Sequence, residues 1–399
     1  MRICLVRCPS PFLIDDRAFP PLGLMSVGAG LRQQGHFVKL WDGPIDDVPL
    51  DFDGYGFGPT TPEYPTAVKT MERLRYCEQH PRIVLGGAHA KLNREACLKD
   101  GWDCVVAGDG EYAAHEAFTG EAEFIQPPAL PLDQYPFPDR SLIDLSSYHF
   151  ALHGRLATTM MSARGCPFHC GFCCKNETKV RLRSAASMIE EIKTIQALGF
   201  TAIAFPEDLF IVSRARTEAV CKYLKTQNVI WRCLVRADLV VRYGQDFLKT
   251  LAEAGCTNVG IGIESGSDKI LKVINKCEDR ATMMQAVKML KAAGLFVKGF
   301  FIVGLPGENE ETLADTERFL EEVQLDDLDL TIFTPYPGSP IWEHREQYDI
   351  SWSGSPLEYN YFKGKPGDYR GTVSTSALTT ERLLEAQKQL EGKYKRWNQ

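Results

Sequence analysis

Four cysteines within nine positions are the feature of this sequence that most clearly indicates chemistry. The stretch ARGCPFHCGFCC contains Cys166, Cys170, Cys173 and Cys174. A zinc site would need a second, distant pair of ligands, which the stretch lacks although His169 is nearby. A buried structural role would be unusual for three thiols set among glycine and proline. As iron–sulfur ligands, three thiolates would hold a four-iron cluster and leave one iron open to a substrate or cofactor.

The composition is that of an acidic globular protein rich in cysteine. The chain has 399 residues, 13 cysteines and a formal net charge of −7. No secretory leader follows Met1, and no apolar run is long enough for a transmembrane helix. We therefore expect a cytoplasmic protein with no membrane partner, in which clustered thiols serve metal or redox chemistry. The acidic balance disfavours nucleic acid as a partner.

Residues 1–122 alternate short apolar strands with helical patterns. Strands are predicted at 2–6, 37–42, 55–61, 82–87 and 104–111. The alternation predicts an α/β domain with a doubly wound parallel sheet of the Rossmann or flavodoxin kind, covered on both faces. Ligands of such sheets bind at the carboxyl ends of the strands. In this sequence those ends are rich in glycine and proline.

A second α/β region is predicted at 151–345, after a proline-rich linker at 123–150 and before a small C-terminal extension at 346–399. Its strands are predicted at 155–161, 201–205, 230–235, 258–263, 297–303 and 328–333. Six strands with five intervening helices predict a partial (β/α)6 barrel of the TIM type, with the active site at the strand carboxyl ends. The cysteine loop follows the first of these strands. Aromatic residues of the extension are expected to cover the barrel mouth or to pack against it, namely Tyr359, Tyr361, Phe362 and Tyr369.

The segment CPFHCGFC resembles the signature of radical S-adenosylmethionine (SAM) enzymes. In that family three cysteines bind a [4Fe-4S] cluster, and the open iron binds the amino and carboxylate groups of SAM. The resemblance implies that Cys166, Cys170 and Cys173 are the metal ligands. It also implies that SAM is split to a 5′-deoxyadenosyl radical, chemistry that the cofactors carry. Cys174 is then expected to be a packed neighbouring thiol.

Further segments of the barrel region resemble the same family. They are FPEDLF, WRCLVRADLV, GIGIESGSDKILKVINK, GFFIVGLPGE and TPYPGSP. The resemblance implies cofactor-binding roles for Phe172, Arg236, Glu264, Ser265 and Gly304. It gives as candidate catalytic residues Glu207, Asp208, Arg236 and Cys277. The alternatives are helix caps or solvated loop groups for the two acidic residues, a structural ion pair for Arg236, and a spare buried thiol in place of a hydrogen-atom donor for Cys277.

The first domain resembles the cobalamin-binding domain that precedes many radical SAM barrels. The matching segments are PPLGLMSVGAGLRQQGH, GPTTPEYPTA, VLGGAHA and VVAGDGE. Small residues at the strand ends would let a flat corrin approach the backbone, and the resemblance implies contacts from Thr60, Thr61, Gly86, Gly87 and Gly108. The Asp-x-His-x-x-Gly motif that supplies a cobalt ligand in many cobalamin proteins is absent, and His89 does not fit it. A domain that kept the fold and lost the ligand is the alternative.

Taken together, the two resemblances imply a cobalamin-dependent C-methyltransferase that acts on an unactivated carbon. The expected partners are a small-molecule or peptide substrate and an electron donor such as flavodoxin or ferredoxin. Three alternatives remain open. They are a radical SAM enzyme that forms rings, oxidises or rearranges its substrate with or without cobalamin, a methylthiotransferase, and a non-enzymatic carrier of iron–sulfur clusters or cobalamin.

Overall fold

A computed structural model describes residues 1–11, 13, 15–175, 177–353 and 371–396. The chain divides into two compact units, Met1–His149 and Phe150–Gln399. The four aromatic residues of the extension lie outside the described residues. Within the described ranges, no helix is long and apolar enough to cross a membrane.

The first unit is built on a six-stranded parallel sheet. Its strands are β1 Arg2–Val6, β2 Phe37–Trp41, β3 Gly54–Phe57, β4 Arg82–Leu85, β5 Cys104–Val106 and β6 Phe124–Ile125. Its helices are α1 Leu22–Gln33, α2 Tyr64–Arg75, α3 Gly87–Leu92, α4 Arg94–Lys99 and α5 Gly110–Thr119. The strand order is β2-β1-β3-β4-β5-β6, with every neighbouring pair parallel. This order confirms the predicted doubly wound fold and places its topological switch point between β1 and β3.

The segment expected to be a linker packs into the first unit. Phe124–Ile125 pairs with β5 as the sixth strand. Leu142 joins the core that the sheet forms with α1 and α5. The compact unit therefore extends to His149, because apolar residues between the prolines bury their side chains against the sheet and helices.

The second unit is built on a seven-stranded sheet. Its strands are β7 Ala151–Leu152, β8 Arg155–Thr159, β11 Ala202–Phe205, β12 Ile230–Val235, β13 Cys256–Glu264, β14 Phe296–Val303 and β15 Asp327–Ile332. Two small antiparallel pairs join β9 Ala163–Arg164 to β10 Arg181–Leu182, and β16 Ser351–Trp352 to β17 Val373–Ser374. The order is β15-β14-β13-β12-β11-β8-β7, and only β7 is antiparallel to its neighbour. The six parallel strands form a curled half-barrel, which confirms the predicted partial barrel.

Six helices, where five were expected, connect the strands of the half-barrel. They are α6 Ala185–Ala197, α7 Arg214–Leu224, α8 Ala237–Glu253, α9 Asp268–Val273, α10 Arg280–Ala292 and α11 Glu310–Val323. Both α9 and α10 lie between β13 and β14. The helical path breaks between them because Asn275 and Cys277 adopt positive φ angles of 51° and 56°, which a right-handed helix does not tolerate. Two helices follow the half-barrel, α12 Pro340–Glu343 and α13 Thr380–Tyr394.

Strand alternation assigns one face of the sheet to the inside of the half-barrel. On β12, Trp231 is buried and its Nε1 donates to the carbonyl of Ala254 at the end of α8 (2.8 Å), so it faces the helices. Arg232 and Leu234 point to the opposite face because successive side chains alternate. Gly260 and Gly262 of β13 lie on that same inner face, and their missing side chains leave room there.

The C-terminal helix covers the edge strand β15. Gln387 of α13 is buried, and its Nε2 donates to the carbonyl of Leu330 at 3.1 Å. Lys395, just after α13, lies 3.3 Å from Asp329 of the same strand. An uncovered edge strand presents unpaired backbone groups to solvent. The C-terminal extension therefore completes the half-barrel on its β15 side.

Candidate functional site

Hydrogen bonds from later parts of the barrel hold the cysteine loop in place. The N–H of Gly171 donates to the carbonyl of Ile274 at 2.7 Å, and the N–H of Ile341 donates to the carbonyl of Gly171 at 2.9 Å. The side-chain amide of Asn275 donates to the carbonyl of His169 at 2.8 Å. The loop that follows β8 is thus fixed by the segment after α9 and by α12.

The start of the loop depends on a glycine. Gly165 has a φ of 91°, and a Cβ at this position would overlap the carbonyl oxygen of Lys179. Only glycine combines that backbone conformation with so close an approach. The next residue, Cys166, donates its N–H to the carbonyl of Glu177 at 3.0 Å. The segments before and after the cysteine loop therefore lie against each other at Cys166, the first of the predicted ligands.

The predicted ligands lie close enough to influence one another electrostatically. Cys170 is buried, and Cys166 and Cys173 are half-buried. Desolvation raises the pKa of the Cys173 thiol to about 12, and the neighbouring Cys174, Asp208, Cys170 and Cys166 act in the same direction. Crowded thiols resist ionisation because their thiolates repel one another. Bound iron ions would remove that penalty, so the donor set fits a cationic cluster core.

The spacing of these groups differs from that of a site for one metal ion. Across the described parts of the chain, no group of three or more histidine, cysteine, aspartate or glutamate side chains is arranged to hold a single ion. A four-iron cluster instead takes one thiolate per iron, so its ligands are spread around the cluster.

A buried network of charges lies next to the loop. Lys276 Nζ binds Glu264 Oε1 at 2.9 Å and lies 3.5 Å from Glu278 Oε2. Arg236 Nη2 lies 3.3 Å from the same Glu278 oxygen, and Arg236 Nε lies 3.1 Å from Asp238 Oδ1. A buried ion is tolerated when its partners are kept in place. The two cations and the two buried glutamates therefore depend on one another.

Phe168 connects this charge network to the cysteine loop. The guanidinium carbon of Arg236 lies 3.5 Å from the centroid of the Phe168 ring, a cation–π contact. Desolvation raises the pKa of the Cys170 thiol, but the charges of Lys276 and Arg236 oppose that rise. Two cations thus face the predicted ligand Cys170, which favours its thiolate form. Arg236 therefore forms structural ion pairs and also contacts the cysteine loop through Phe168.

The backbone at Glu264 directs its carboxylate to the inner face of the half-barrel. Glu264 has a φ of 66°, and the register of β13 against β14 shifts between Gly262 and Glu264. A Cβ on Gly262 would lie 2.6 Å from Glu264 Oε1, so the carboxylate turns back over that glycine. Such a backbone costs about 1–3 kcal/mol and persists where surrounding contacts hold it. The bond to Lys276 is one such contact.

Ser265 lies nearer to the helix layer than the sequence suggested. Its side chain is fully buried, and its hydroxyl lies 3.4 Å from Thr316 Oγ1 on α11 and accepts the N–H of Ser267 at 3.2 Å. Through these contacts Ser265 links the end of β13 to α11. Its predicted contact with SAM stays a prediction.

Gly304 begins a turn at the carboxyl end of β14. Its φ is 88°, and its N–H donates to the carboxylate of Glu308. Desolvation raises the pKa of Glu308 to about 8. A Cβ on Gly304 would lie 3.1 Å from the side chains of Val373 and Leu383, so the C-terminal segment lies directly against the turn.

Glu207 and Asp208 occupy different environments at the end of β11. Asp208 is exposed, whereas Glu207 is only 5% exposed. The hydroxyl of Ser162 donates to Glu207 Oε1, and Arg216 donates to the carbonyl of Ser162 at 2.9 Å. Glu207 Oε2 has no hydrogen-bond partner among the residues that the structure describes. Desolvation raises the pKa of Glu207 to about 7, so Glu207 is a buried carboxyl and not a solvated loop group.

The remaining barrel candidates lie on or near the loop. Phe172 is half-buried within it. Cys174 is close enough to Tyr336, in the segment TPYPGSP, to influence the ionisation of that phenol. Cys277 is exposed, so the expectation of a buried spare thiol is wrong; its Sγ lies 3.3 Å from Asn275 Oδ1. The exposure follows from the positive φ of Cys277, which turns the chain outward between α9 and α10.

In the first unit, the candidates for cobalamin contact lie at the carboxyl ends of β3, β4 and β5. Thr60 and Gly87 are exposed, and Thr61, Gly86 and Gly108 are half-buried. A Cβ on Gly86 would have no atom within 3.8 Å, whereas a Cβ on Gly108 would lie 2.8 Å from Pro127. Gly86 therefore leaves the end of β4 without a side chain, although a Cβ on the next residue, Gly87, would lie 2.9 Å from the Gly58 backbone. The β5 end is bordered by the proline-rich segment. A bare sheet edge fits the flat face of a corrin.

His89 has a structural environment. Its ring stacks on Tyr64 with centroids 4.0 Å apart, and its Nδ1 lies 3.1 Å from Thr61 Oγ1. Desolvation lowers the pKa of His89 to about 4. These contacts explain the presence of this histidine without a role as a cobalt ligand.

Comparison with known proteins agrees with both halves of this description. Residues 160–320 match the model of the radical SAM superfamily, and residues 17–118 match that of the B12 binding domain. The chain is 28% identical over 386 residues to an uncharacterized methyltransferase of Pyrococcus horikoshii, covering 86% of this chain and 83% of the relative. It is 27% identical to the anaerobic magnesium-protoporphyrin IX monomethyl ester cyclase of Cereibacter sphaeroides, covering 73% of this chain and only 53% of the cyclase.

Among solved structures, the chain resembles the radical SAM methyltransferase TsrM from Kitasatospora setae with cobalamin and a [4Fe-4S] cluster bound. The TM-score is 0.72 at 15% identity, and the match covers 98% of this chain and 91% of TsrM. At that identity, the likeness shows a shared fold. The chain belongs to the radical SAM superfamily and carries a B12-binding domain before its radical SAM domain. It is a radical SAM enzyme whose cofactors are a [4Fe-4S] cluster, SAM and cobalamin.

The environment of Glu207 predicts a pH dependence of stability. The folded-state pKa of about 7 lies above the ordinary value of 4.5. Below pH 4.5 the carboxyl is protonated in both states; between pH 4.5 and 7 the unfolded chain ionises first. Glu207 should therefore lower the free energy of unfolding by about 3 kcal/mol across this window. Glu207→Gln should remove this contribution and leave the one from Glu308, whose pKa is also raised.

Urea unfolding at pH 4.5 and pH 7.5, followed through tryptophan fluorescence and through the helical circular dichroism signal, measures this difference. Glu190→Gln, at an exposed position of α6, is the matched control and should follow the wild-type pH dependence. A Glu207→Gln curve parallel to that of the wild type would contradict the assigned environment.

Proposed function

We propose that the protein is a cobalamin-dependent C-methyltransferase that acts on an unactivated carbon of a small metabolite or peptide. The observation that carries this proposal is the presence, in one chain, of a bare sheet edge in a B12-binding domain and a three-thiol loop at the carboxyl end of a half-barrel strand. When bound, the cluster and SAM supply a radical at the substrate carbon, and cobalamin supplies the methyl group. Similarity to a relative described as a methyltransferase supports the same function.

In this function the thiols of Cys166, Cys170 and Cys173 hold the iron. Arg236 and Lys276 stabilise the thiolate of Cys170 by their charge. Phe168 and Asn275 keep the loop at a fixed position against the barrel. The three thiols would lose their protons when iron binds, and the other residues only bind and orient the loop.

Two carboxyl groups provide polar contacts within the half-barrel. Glu264 presents its carboxylate on the inner face, where SAM or substrate would lie, and Lys276 Nζ holds it there at 2.9 Å. Glu207, with a pKa near 7, can hold or release a proton at Oε2. Its proposed role is that of a proton acceptor for the substrate. Phe172, Ser265, Gly304 and Asp208 are proposed to line the site, and Cys277, as an exposed thiol, is proposed as a hydrogen-atom donor only in non-methylating chemistry.

Ring formation without methyl transfer is a second candidate function. The observation that favours it is the 27% identity to the anaerobic cyclase of Cereibacter sphaeroides. The chain spans about half the length of that cyclase, whereas it spans 83% of the relative described as a methyltransferase. We therefore place methylation first.

The deciding experiment uses SAM labelled in its methyl group and needs no known substrate. The protein is reconstituted anaerobically with iron, sulfide and hydroxocobalamin, desalted, and reduced. A methyltransferase should yield both 5′-deoxyadenosine and S-adenosylhomocysteine, because SAM serves as radical source and as methyl donor. Formation of 5′-deoxyadenosine without S-adenosylhomocysteine would reject methylation and favour the second candidate.

The ligand assignment predicts how cysteine variants behave. Cys166→Ala, Cys170→Ala and Cys173→Ala should each lose most of the iron and all SAM cleavage, since a four-iron cluster with two protein ligands is labile. Cys174→Ala is the matched control and should keep about four irons per chain. Iron analysis and the absorption spectrum measure both outcomes. Loss of iron in the Cys174 variant alone would show that the assignment is wrong.

The bare edge of β4 predicts a variant that blocks cobalamin. Gly86→Ala fits the protein, because φ is −140° and the nearest atom to the added methyl lies at 3.8 Å. If a corrin covers this edge, the methyl should weaken cobalamin retention at least about tenfold without lowering the thermal midpoint measurably. The cobalt content after desalting measures retention. Gly392→Ala, on α13 with open space around it, should retain cobalamin, and equal retention by both variants would exclude corrin contact at Gly86.

A further inference from the structure

A positively charged surface surrounds the outer side of the cysteine loop. This surface, the α9 patch, consists of His169, Lys175, Lys269, Lys272, Val273 and Asn275. All of these residues are exposed except Lys175, which is half-buried. The patch has a positive charge, although the chain as a whole has a formal net charge of −7.

Hydrogen bonds join the loop members of the patch to one another and to the end of α9. Lys175 Nζ lies 3.2 Å from His169 Nδ1 and also donates to the carbonyl of Phe168. Asn275 donates its side-chain amide to the carbonyl of His169 at 2.8 Å. The N–H of Asn275 also donates to the carbonyl of Lys272 at 3.1 Å, and Lys269 lies one turn earlier on α9. The loop and the end of α9 therefore present their charges together.

The nearby carboxylates do not cancel this charge. Asp268, at the first position of α9, accepts the N–H of Arg280 at 2.7 Å and is held at the opposite end of the helix from Lys272. Glu177 is paired with Arg181 at 2.6 Å. The lysines of the patch thus keep an excess of positive charge beside the loop.

A short covalent and hydrogen-bonded route also joins the patch to the predicted ligand Cys170. Asn275 is exposed, and one hydrogen bond joins it to His169, the residue before Cys170. The N–H of Gly171, on the other side of Cys170, is bonded to Ile274. An electron that enters here would cross few bonds to reach a ligand thiolate.

We propose that the α9 patch is the docking surface for a small acidic flavoprotein of the flavodoxin class, which delivers one electron to the cluster. The proposal rests on the proposed assignment of the cluster to Cys166, Cys170 and Cys173. In the step, the reduced flavin loses one electron and the cluster gains it, and no bond within this chain forms or breaks. Charge complementarity steers the partner to this surface against the overall negative charge of the chain. Val273 supplies an apolar contact within the charged surface.

Charge reversal at two exposed lysines tests the proposal. The double variant Lys269→Glu/Lys272→Glu should bind flavodoxin at least about tenfold more weakly at low ionic strength. The rate at which reduced flavodoxin bleaches the cluster absorbance should fall to a similar extent, and Lys272→Gln should give an intermediate loss. With dithionite as the reductant, the rate of bleaching and the iron content should match those of the wild type. Added salt should reduce the difference in flavodoxin affinity between the double variant and the wild type, because salt screens the charges.

Lys388→Glu, at an exposed position of α13, is the matched control because it makes the same charge change on another helix. Unchanged flavodoxin binding in the double variant would overturn the proposal. So would an equal loss in the Lys388 variant, or an equal loss with dithionite, which would show damage to the cluster. Failure of the wild-type protein to hold iron or cleave SAM with dithionite would instead overturn the ligand assignment, and this result is obtained before any patch variant is made.

Discussion

The charge network of Lys276, Arg236, Glu264 and Glu278 is the constraint on which the cysteine loop depends. Each of these groups is costly to bury alone, and each becomes tolerable beside its partners. The network spans the carboxyl ends of β12 and β13 and the segment after α9. Because Arg236 also lies against Phe168, the position of the loop is set by groups that cannot move independently.

Backbone strain in the same region has a matching explanation. Glu264, Asn275 and Cys277 all have positive φ angles, although none of them is glycine. The unusual conformations place Lys276 between two carboxylates and Asn275 against the loop. The strained backbone at these three residues thus positions the groups that hold the loop. Such strain is common at functional sites.

The sequence was sufficient to predict the fold of both units. Apolar strands alternating with helices predicted both sheets, since buried parallel strands need continuous apolar segments. Three thiols spaced over eight residues indicated metal or redox chemistry, and the family resemblance implied a cluster loop; the assignment of its ligands stays a prediction. Resemblance to a known family supplied the cofactors, which the spacing of thiols alone left open.

The sequence was insufficient where long-range contacts decide the structure. No residue-type preference predicts a left-handed Glu264, because its conformation is stabilised by Lys276, twelve positions later. The segment NKCED contains Lys276 and Glu278 of the charge network. Its turn could not be predicted, because the turn depends on contacts with the cysteine loop. The proline-rich segment was expected to be a linker because proline disrupts regular structure, yet Leu142 within it reaches the core of the first unit.

The way α13 covers β15 has a consequence for how the protein is made. During synthesis β15 leaves the ribosome about fifty residues before α13, so the nascent half-barrel passes through a stage with an open edge. At that stage the carbonyl of Leu330 lacks the donor that Gln387 later provides. An open edge pairs readily with other chains. The edge of β15 therefore stays open to pairing with other chains until α13 has been made and has docked.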